Sequence, residues 1–426
     1  MKYLFTLLTA LCCCLTSMAA SPKSNHAVPF RFATKAEAQM LITNIDQFTN
    51  NWNQFDINVR LQTNEGKKSQ LLTVAMNATR NWSDQEKQRI SKIIKELEAS
   101  LTKLNASLPF PEEVILVKTS MEEEGKVIAY TRENWIALGE EALSELDNET
   151  LREIMAHELF HVLTRNSMDF KKAIYATIGF NITRQEIIFP AELVNKRISN
   201  PDISRHDSYA SFLIDGKEQN CTMVLYTDRE YTEGGLTDYL NVGLVPLDEH
   251  FIPLQQNGET VIYPISKAEN FYEKVGRNTN YTIHPEEILA DNFAYTLTNT
   301  SKVKDSEIIQ RIKEVLKGQY KGILMISQSC LTMRISTRPV LKTGIKNGIQ
   351  KQRTAFSLSN SFGTCSPLFL YLYICVSVAT KSLCHRRYSC PQSSYGWKCR
   401  RWQATAPSGL ELEDGSQHQT VIEHIV

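Results

Sequence analysis

The sequence predicts an α+β fold with a helical N-terminal part, and three features support this prediction. Amphipathic, helix-like stretches dominate up to about residue 110, two strand-like runs follow, and the chain then returns to an apolar helix. With 426 residues the chain is long enough to bury a substantial core. We therefore divide it into residues 1–20, a helical region at 21–110, an α+β domain at 111–320 with an insertion at about 165–280, and a tail at 321–426.

The first twenty residues have the layout of a cleavable secretory signal. One Lys precedes the apolar run Leu4–Leu15, which is too short to be a comfortable membrane span, and small residues follow at Ser17, Ala19 and Ala20. Cleavage after Ala19 or Ala20 predicts a secreted or extracytoplasmic protein. The alternatives are an uncleaved anchor helix and a lipoprotein.

Charge divides the chain into two unlike parts. Residues 321–426 carry 13 Lys and Arg against 4 Asp and Glu, whereas the remainder carries 34 against 43. The acidic first part lacks the clustered basic residues that nucleic acid requires, so no nucleic-acid partner is expected. The tail has no acidic residue between Glu314 and Glu411, and we interpret it as poorly ordered or as out-of-frame translation. Its apolar run Leu368–Ala379 is too short to span a bilayer, so no stable membrane span is predicted.

The cysteines do not form a disulfide framework for the body of the protein. Of the 10 cysteines, three lie in the signal and six lie between Cys330 and Cys399, which leaves Cys221 alone. A single thiol cannot form an internal disulfide. The stability of the body must therefore come from its core, with a metal ion as a second source.

Capping boxes indicate where three helices begin. They are Thr34 to Glu37, Ser83 to Glu86, and Thr150 to Glu153. The second opens a long charged helix with one apolar face. Between the second and third boxes, the strand-like runs are Glu113–Lys118 and Lys126–Thr131, with Trp135–Leu138 close behind.

Two more helices are predicted near the end of the body. One starts at His284-Pro285, because Pro is favoured at the first position of a helix. The last covers about Ser306–Leu316 and ends at Gly318, a residue type favoured at helix C-termini.

The helix that follows Thr150 carries an H-E-x-x-H motif, His157-Glu158-Leu159-Phe160-His161. Residues four apart lie on one helical face, so both imidazoles can reach one metal ion. Glu158 is rotated from His157 by about 100°, towards a water at the ion rather than the ion itself. The flanking residues are apolar on almost every side, and buried polar groups without partners are costly. The motif therefore predicts a metal site, the alternative being an ordinary amphipathic helix.

A catalytic zinc site needs a third protein ligand, and the best donor lies in His284–Ala294. Glu287 and Asp291 share one helical face with two alanines, which allow the two helices to approach closely. Glu287 can bind the ion while Asp291 accepts the second ring N–H of a ligating histidine. Glu286 is expected to face elsewhere. The alternative is that Glu286 and Glu287 only favour the start of a helix electrostatically.

HELFH followed by a helical E-x-x-x-D resembles the gluzincin group of zinc metallopeptidases. The resemblance covers two short segments within residues 110–300 and implies a zincin-like fold, one Zn²⁺ per chain, and hydrolysis of peptide or protein substrates. It also implies an edge strand that pairs with the substrate, a part that Lys126–Thr131 can play. The metzincin class is excluded, because it needs glycine and histidine at two positions where this chain has Thr164 and Ser167.

The resemblance also implies roles for individual residues. Zinc lowers the pKa of a bound water towards about 7, and Glu158 takes the proton of that water as general base. The implied zinc ligands are His157, His161 and Glu287. The 125 residues between His161 and Glu287 are more than the shortest members of the group have at this point. Glu233 and Asp238, which are nearer to the motif in sequence, are therefore reserve candidates for the third ligand. The candidates for stabilising the developing oxyanion are Tyr281, His284 and Tyr239.

Two other functions stay open at the level of sequence. One is a zinc-binding relative without catalytic activity, and the other is a non-enzymatic secreted binding protein in which the motif is fortuitous. Structural zinc sites usually have four protein ligands, whereas only three are plausible here, which favours catalysis. Zinc stoichiometry distinguishes the binding protein from the other two.

Overall fold

Helices and strands both build the part of the chain that the computed structural model describes, residues 27–298 and 303–318. The predicted α+β class is confirmed at this level. The described residues belong to one compact unit. The predicted signal at 1–20 and the predicted tail at 321–426 lie outside the described residues.

A four-stranded sheet forms the first layer of the fold. Its strands are β1 (Phe30–Phe32), β2 (Val114–Thr119), β3 (Ala129–Arg132) and β4 (Trp135–Gly139), in the order β1-β2-β4-β3. Strands β1 and β4 run parallel to β2, whereas β3 is antiparallel to β4 and forms an edge. The second predicted run starts later than expected, because Gly125 and Lys126 adopt φ values of 74° and 67° and turn the chain.

The N-terminal region is helical except for β1, which the sequence analysis missed. Its helices are α1 (Lys35–Ile42), α2 (Gln47–Asn50), α3 (Gln54–Leu61), α4 (Lys68–Ala78) and α5 (Asp84–Lys103). The predicted capping box is confirmed at Ser83, which bonds reciprocally with Glu86. At Thr34 only the cap is present: Thr34 accepts from the amide of Glu37, while the carboxylate of Glu37 pairs with Arg31. Helix α5 buries its apolar face, which consists of Ile90, Ile93, Ile94, Leu97 and Leu101.

The motif helix begins earlier than predicted. After α6 (Glu140–Glu145), α7 covers Asn148–Asn166 and is followed by α8 (Met168–Ala176). The side chain of Asp147 caps α7 by accepting from the amide of Thr150 at 2.8 Å. The predicted capping box at Thr150 is therefore wrong, because Thr150 already lies in the first turn. Helix α7 is buried along most of its length, as its apolar surroundings predicted.

The predicted insertion folds into a second sheet. Its strands are β5 (Asn181–Ile182), β6 (Ser208–Ile214), β7 (Lys217–Tyr226), β8 (Asn241–Pro246) and β11 (Tyr263–Pro264), all antiparallel, in the order β11-β8-β7-β6-β5. A small hairpin, β9 (Gln255–Gln256) and β10 (Glu259–Thr260), and two short helices, α9 (Ala191–Lys196) and α10 (Phe271–Val275), complete this region. Asp215 and Gly216, with φ values of 49° and 72°, form the tight turn between β6 and β7.

The two C-terminal helices lie where the sequence placed them. They are α11 (Pro285–Thr298) and α12 (Ser306–Leu316), and Gly318 follows α12 with φ 78°. Helix α11 packs along α7, where the rings of Phe160 and Phe293 are 5.6 Å apart. Almost every side chain of α11 is buried. Among the described residues, no helix has the length and apolar character needed to cross a membrane.

Glu123, in the segment between β2 and β3, is a buried acid. Its Oε1 accepts hydrogen bonds from Thr119 Oγ1 at 2.8 Å and from the hydroxyl of Tyr130 at 3.0 Å. Burial raises the pKa of Glu123 to about 7, from an ordinary value of 4.5. Between these two values the native carboxyl keeps a proton that the unfolded chain has lost. The free energy of unfolding therefore decreases as the pH rises through this window.

We expect Glu123→Gln to stabilise the protein at pH 8, by about 1 to 3 kcal/mol, because the amide resembles the protonated acid and cannot ionise. Near pH 4.5 the variant and the parent should have similar stability. Urea denaturation at both pH values measures the difference, with the exposed neighbour Glu122→Gln as the matched control. A variant that is less stable than the parent at pH 8 would contradict this account.

Candidate metal centre

Two histidines of α7 and one glutamate of α11 meet between the two helices. His157 Nε2 lies 3.1 Å from Glu287 Oε2, and His161 Nε2 lies 3.7 Å from the same oxygen. The three donor atoms lie within 4.8 Å of one another, close enough to share one ion. The side chain of His157 is 14% exposed, while His161 and Glu287 are buried. The structure thus brings together the three residues that the sequence proposed as ligands.

A carboxylate holds each imidazole at its other ring nitrogen. His157 Nδ1 lies 2.8 Å from Asp291 Oδ1, the contact that the helical spacing predicted. His161 Nδ1 lies 3.1 Å from Glu286 Oε1. Asp291 is itself fixed by Thr279, whose hydroxyl donates to its second oxygen. Both Nε2 atoms are therefore directed towards Glu287, in the arrangement that carboxylates impose on metal-binding histidines.

Glu286 is the main correction to the predicted site. It does not face away from the centre, because the first turn of α11 is buried between α7 and α8 and has no solvent face. Thr164 Oγ1 donates to Glu286 Oε1 at 2.5 Å, and the hydroxyl of Tyr175 donates to Oε2. Burial alone would raise the pKa of Glu286, but hydrogen bonding and the charge of His161 lower it to about 2. Glu286 is thus an ionised acceptor that orients His161.

The local charges suit a cation. Burial by itself would lower the pKa of both histidines, but the neighbouring carboxylates raise that of His161 and raise that of His157 well above its ordinary value. Two buried atoms at the centre, His161 Nε2 and Glu287 Oε1, have no hydrogen-bond partner. Two imidazoles and one carboxylate are also a donor set of catalytic zinc sites. These residues therefore fit a zinc ion.

Glu158 lies beside the three donors and touches the edge strand. Its Oε2 accepts from Thr131 Oγ1 of β3 at 2.6 Å, and its side chain is buried. Glu158 belongs to a second acidic group, in which its carboxylate, His161 and Asp202 offer donor atoms within 4.8 Å of one another. Its carboxylate lies next to His161 and is not one of the three donor atoms of His157, His161 and Glu287.

Asp202 is a member of the site that the sequence analysis missed. Its Oδ1 accepts from the amide of Thr131 at 2.7 Å and lies 3.9 Å from His161 Nε2. Burial and the charge of Glu158 raise the pKa of Asp202 well above its ordinary value. Asp202 comes from an irregular loop of the insertion, at no fixed spacing from the motif, so no sequence signal pointed to it.

Of the three oxyanion candidates, Tyr281 approaches the centre. Its ring lies 6.5 Å from that of His157, and burial together with the charges of Glu287 and Asp202 raises the pKa of its phenol well above the ordinary value. The phenol therefore keeps its proton and can donate a hydrogen bond. The other two candidates have different structural roles.

His284 and Tyr239 are corrections to the predicted set. His284 Nδ1 accepts from the amide of Glu286 at 3.2 Å, so His284 caps α11, and burial lowers its pKa to about 3. The hydroxyl of Tyr239 donates to the carbonyl of Glu233 at 2.8 Å and accepts from the amide of Thr232 at 3.0 Å. Tyr239 is thus held within its own loop.

The reserve ligands are not at the centre. Glu233 and Asp238 are exposed in the loop that precedes β8, and Asp238 Oδ2 accepts from the amide of Gly235 at 2.8 Å. The structure places Glu287, and neither of these two residues, beside the histidines. The long insertion separates the ligands in sequence without replacing one of them.

Four elements thus supply the centre. Helix α7 gives two imidazoles and Glu158, α11 gives three carboxylates, β3 gives Thr131, and an insertion loop gives Asp202. Such a group can bind a divalent cation and hold a further carboxylate next to it. No match to this chain is found among protein-family models, among curated proteins or among solved structures.

Proposed function

We propose that this protein is a secreted zinc-dependent metallopeptidase of the gluzincin type, with a zincin-like catalytic domain at residues 111–320. The observation that carries the proposal is the paired arrangement of the histidines. Each directs Nε2 to Glu287 while a carboxylate holds its Nδ1. Glu158 adds a carboxylate next to His161 that is not part of the group formed by His157, His161 and Glu287.

Zinc bound by His157, His161 and Glu287 would supply the Lewis acid that polarises a peptide carbonyl. Glu158 takes the proton of the attacking water and passes it to the leaving amine. The hydroxyl of Thr131 keeps the carboxylate of Glu158 in place through its 2.6 Å hydrogen bond. Tyr281, whose phenol stays protonated, is the donor for the developing oxyanion.

Strand β3 is the proposed binding strand for an extended peptide, and three of its four residues, Tyr130, Thr131 and Arg132, are buried in the described conformation. It pairs with β4 on one side only, so a substrate can add as a further strand along its other side. Thr131 connects this edge to Glu158, because its side chain binds the catalytic carboxylate. A peptide paired with β3 would therefore lie across the centre.

A structural zinc centre is the second candidate. Asp202, whose Oδ1 is 3.9 Å from His161 Nε2, offers a fourth donor, and four protein ligands are typical of structural zinc. In that case the protein would bind zinc but would not hydrolyse peptides. The two candidates agree on metal binding and differ in hydrolysis.

Zinc analysis of the purified full chain tests the proposal. After zinc incubation and dialysis we expect one zinc ion per chain, and cleavage of a denatured polypeptide mixture that a chelator stops and added zinc restores. Protons compete for the two imidazoles, whose pKa values are raised, so zinc affinity should fall as the pH is lowered. A metal content near zero would contradict both candidates. Bound zinc without hydrolysis would support the structural centre.

A further inference from the structure

The loop at residues 197–203, between α9 and β6, is held along its length: Ile198 donates to the carbonyl of Leu225 at 2.9 Å, and the side chains of Ile198 and Ile203 are buried. Near its start, Arg60 donates to the carbonyl of Ser199 at 2.7 Å, and Asp56 accepts from the amide of the same residue at 2.9 Å. Near its end, Arg165 Nη2 donates to the carbonyls of Pro201 and Asp202 at 2.7 and 2.9 Å. Arg165 lies on α7, one turn after His161, so the loop is tied to the helix that carries the motif.

These anchors place the carboxylate of Asp202 at the centre. Its side chain is 12% exposed, and Oδ1 is 2.7 Å from the amide of Thr131 and 3.9 Å from His161 Nε2. The carboxylate of Glu158 lies in the same group. Two acidic side chains thus share a largely buried site, a position that disfavours their ionised forms.

Asp202 also occupies the free side of the edge strand. The amide of Thr131 donates to Asp202 and points away from β4, which pairs with the opposite side of β3. A peptide that adds to β3 as a strand needs such outward amides as its hydrogen-bond donors. A substrate and Asp202 therefore compete for Thr131 and for the space beside His161.

We propose that Asp202 is a built-in inhibitory group, which covers the peptide-binding edge of β3 and the reaction position until the loop at 197–203 moves away. This inference rests on the proposed function and concerns the regulation of the same site. The described conformation is then a latent form. Peptide binds only to the fraction of molecules in which Asp202 has left, and its apparent affinity is reduced by that fraction.

Binding of a short peptide hydroxamate to the zinc-loaded full chain tests the inference by calorimetry. Asp202→Ala should bind the probe at least about 10-fold more tightly than the parent, since the competing group is gone. Asp202→Asn, which keeps an acceptor for the Thr131 amide but has no charge, should show a smaller gain. The matched control is Asp238→Ala, which removes an exposed carboxylate of the same insertion and should leave binding unchanged.

A second measurement requires neither zinc nor activity. Hydrogen exchange of the Thr131 amide in the metal-free chain should be faster in Asp202→Ala than in the parent and unchanged in Asp238→Ala. If the parent bound no zinc, the proposed function would fail, whereas this exchange would still show whether Asp202 covers β3. An unchanged exchange rate would overturn the inference.

Two other results would also overturn it. Equal or weaker probe binding by Asp202→Ala would show that the carboxylate does not compete with peptide. A large loss of zinc affinity without any gain in probe binding would identify Asp202 as a fourth ligand of a closed centre. If Asp202→Ala does not fold, Arg165→Ala loosens the loop without altering the carboxylate and should also tighten probe binding. No gain in either Arg165→Ala or Asp202→Asn would refute the proposal.

Discussion

Replacing Glu158 by Gln should lower peptide hydrolysis by about 10²- to 10⁴-fold while zinc stays bound. Glutamine has the size of glutamate, and its amide oxygen can still accept the hydrogen bond from Thr131 Oγ1, which is 2.6 Å long in the parent. It cannot take a proton from water. Because Glu158 lies outside the His157, His161 and Glu287 donor set, metal affinity should change little.

The matched control is Glu149→Gln, an exposed position in the first turn of the same helix. The kcat/KM for a denatured polypeptide, the zinc content and the thermal unfolding midpoint should be measured for both variants. A purely structural Glu158 would give the opposite pattern, with lower thermal stability and retained activity. Chelator-sensitive hydrolysis that survives Glu158→Gln would refute the role of general base.

Removing Glu287 should weaken zinc binding by more than about 100-fold. Loss of a group that only orients a ligand already lowers metal affinity by about 10- to 100-fold, and the loss of a ligand should have a larger effect. Glu287 supplies the oxygen that both Nε2 atoms face, at 3.1 and 3.7 Å. Asp291→Asn, which disturbs only the support of His157, should lose about 10- to 100-fold. Competition with a chromophoric chelator measures all of these affinities.

The controls for this experiment are Glu233→Ala and Asp238→Ala, because both side chains are exposed and lie in the loop before β8. Both variants should bind zinc as the parent does. Glu287→Gln, which keeps the volume of the side chain in a buried position, provides a second test if Glu287→Ala is unstable. Full zinc binding by Glu287→Ala, with loss in either exposed variant, would show that the ligand has been misassigned.

The sequence predicted the parts of the fold and site that local patterns determine. The long helix α5 has an apolar face and a capping box, and α11 starts at a proline, so the first residue of each was located to within about a residue or two. The spacing of His157 and His161 needs no information beyond helix geometry. Glu287 and Asp291 were found for the same reason, since residues four apart share a face.

The missed features depend on the tertiary fold. Strand β1 has only three residues and is defined by its pairing with β2, which lies far along the chain. Glu286 was misplaced because α11 is buried on nearly all sides, so the residue before Glu287 also lies against its neighbours and contacts His161. Asp202 reaches the centre through contacts of an irregular loop with α3 and α7, and such contacts leave no periodic pattern in the sequence.

The positions of the three carboxylates of α11 are linked because all three lie on one helix. Glu286, Glu287 and Asp291 share a 14-residue helix that packs along α7, and Ala290 and Ala294 of this helix are both buried. A slide of one residue along the axis would displace all three by about 1.5 Å, so the centre would lose its ligand and both supports together. We expect a bulky side chain at Ala290 or Ala294 to shift α11 and to weaken the proposed zinc binding, although none of the proposed ligands is changed.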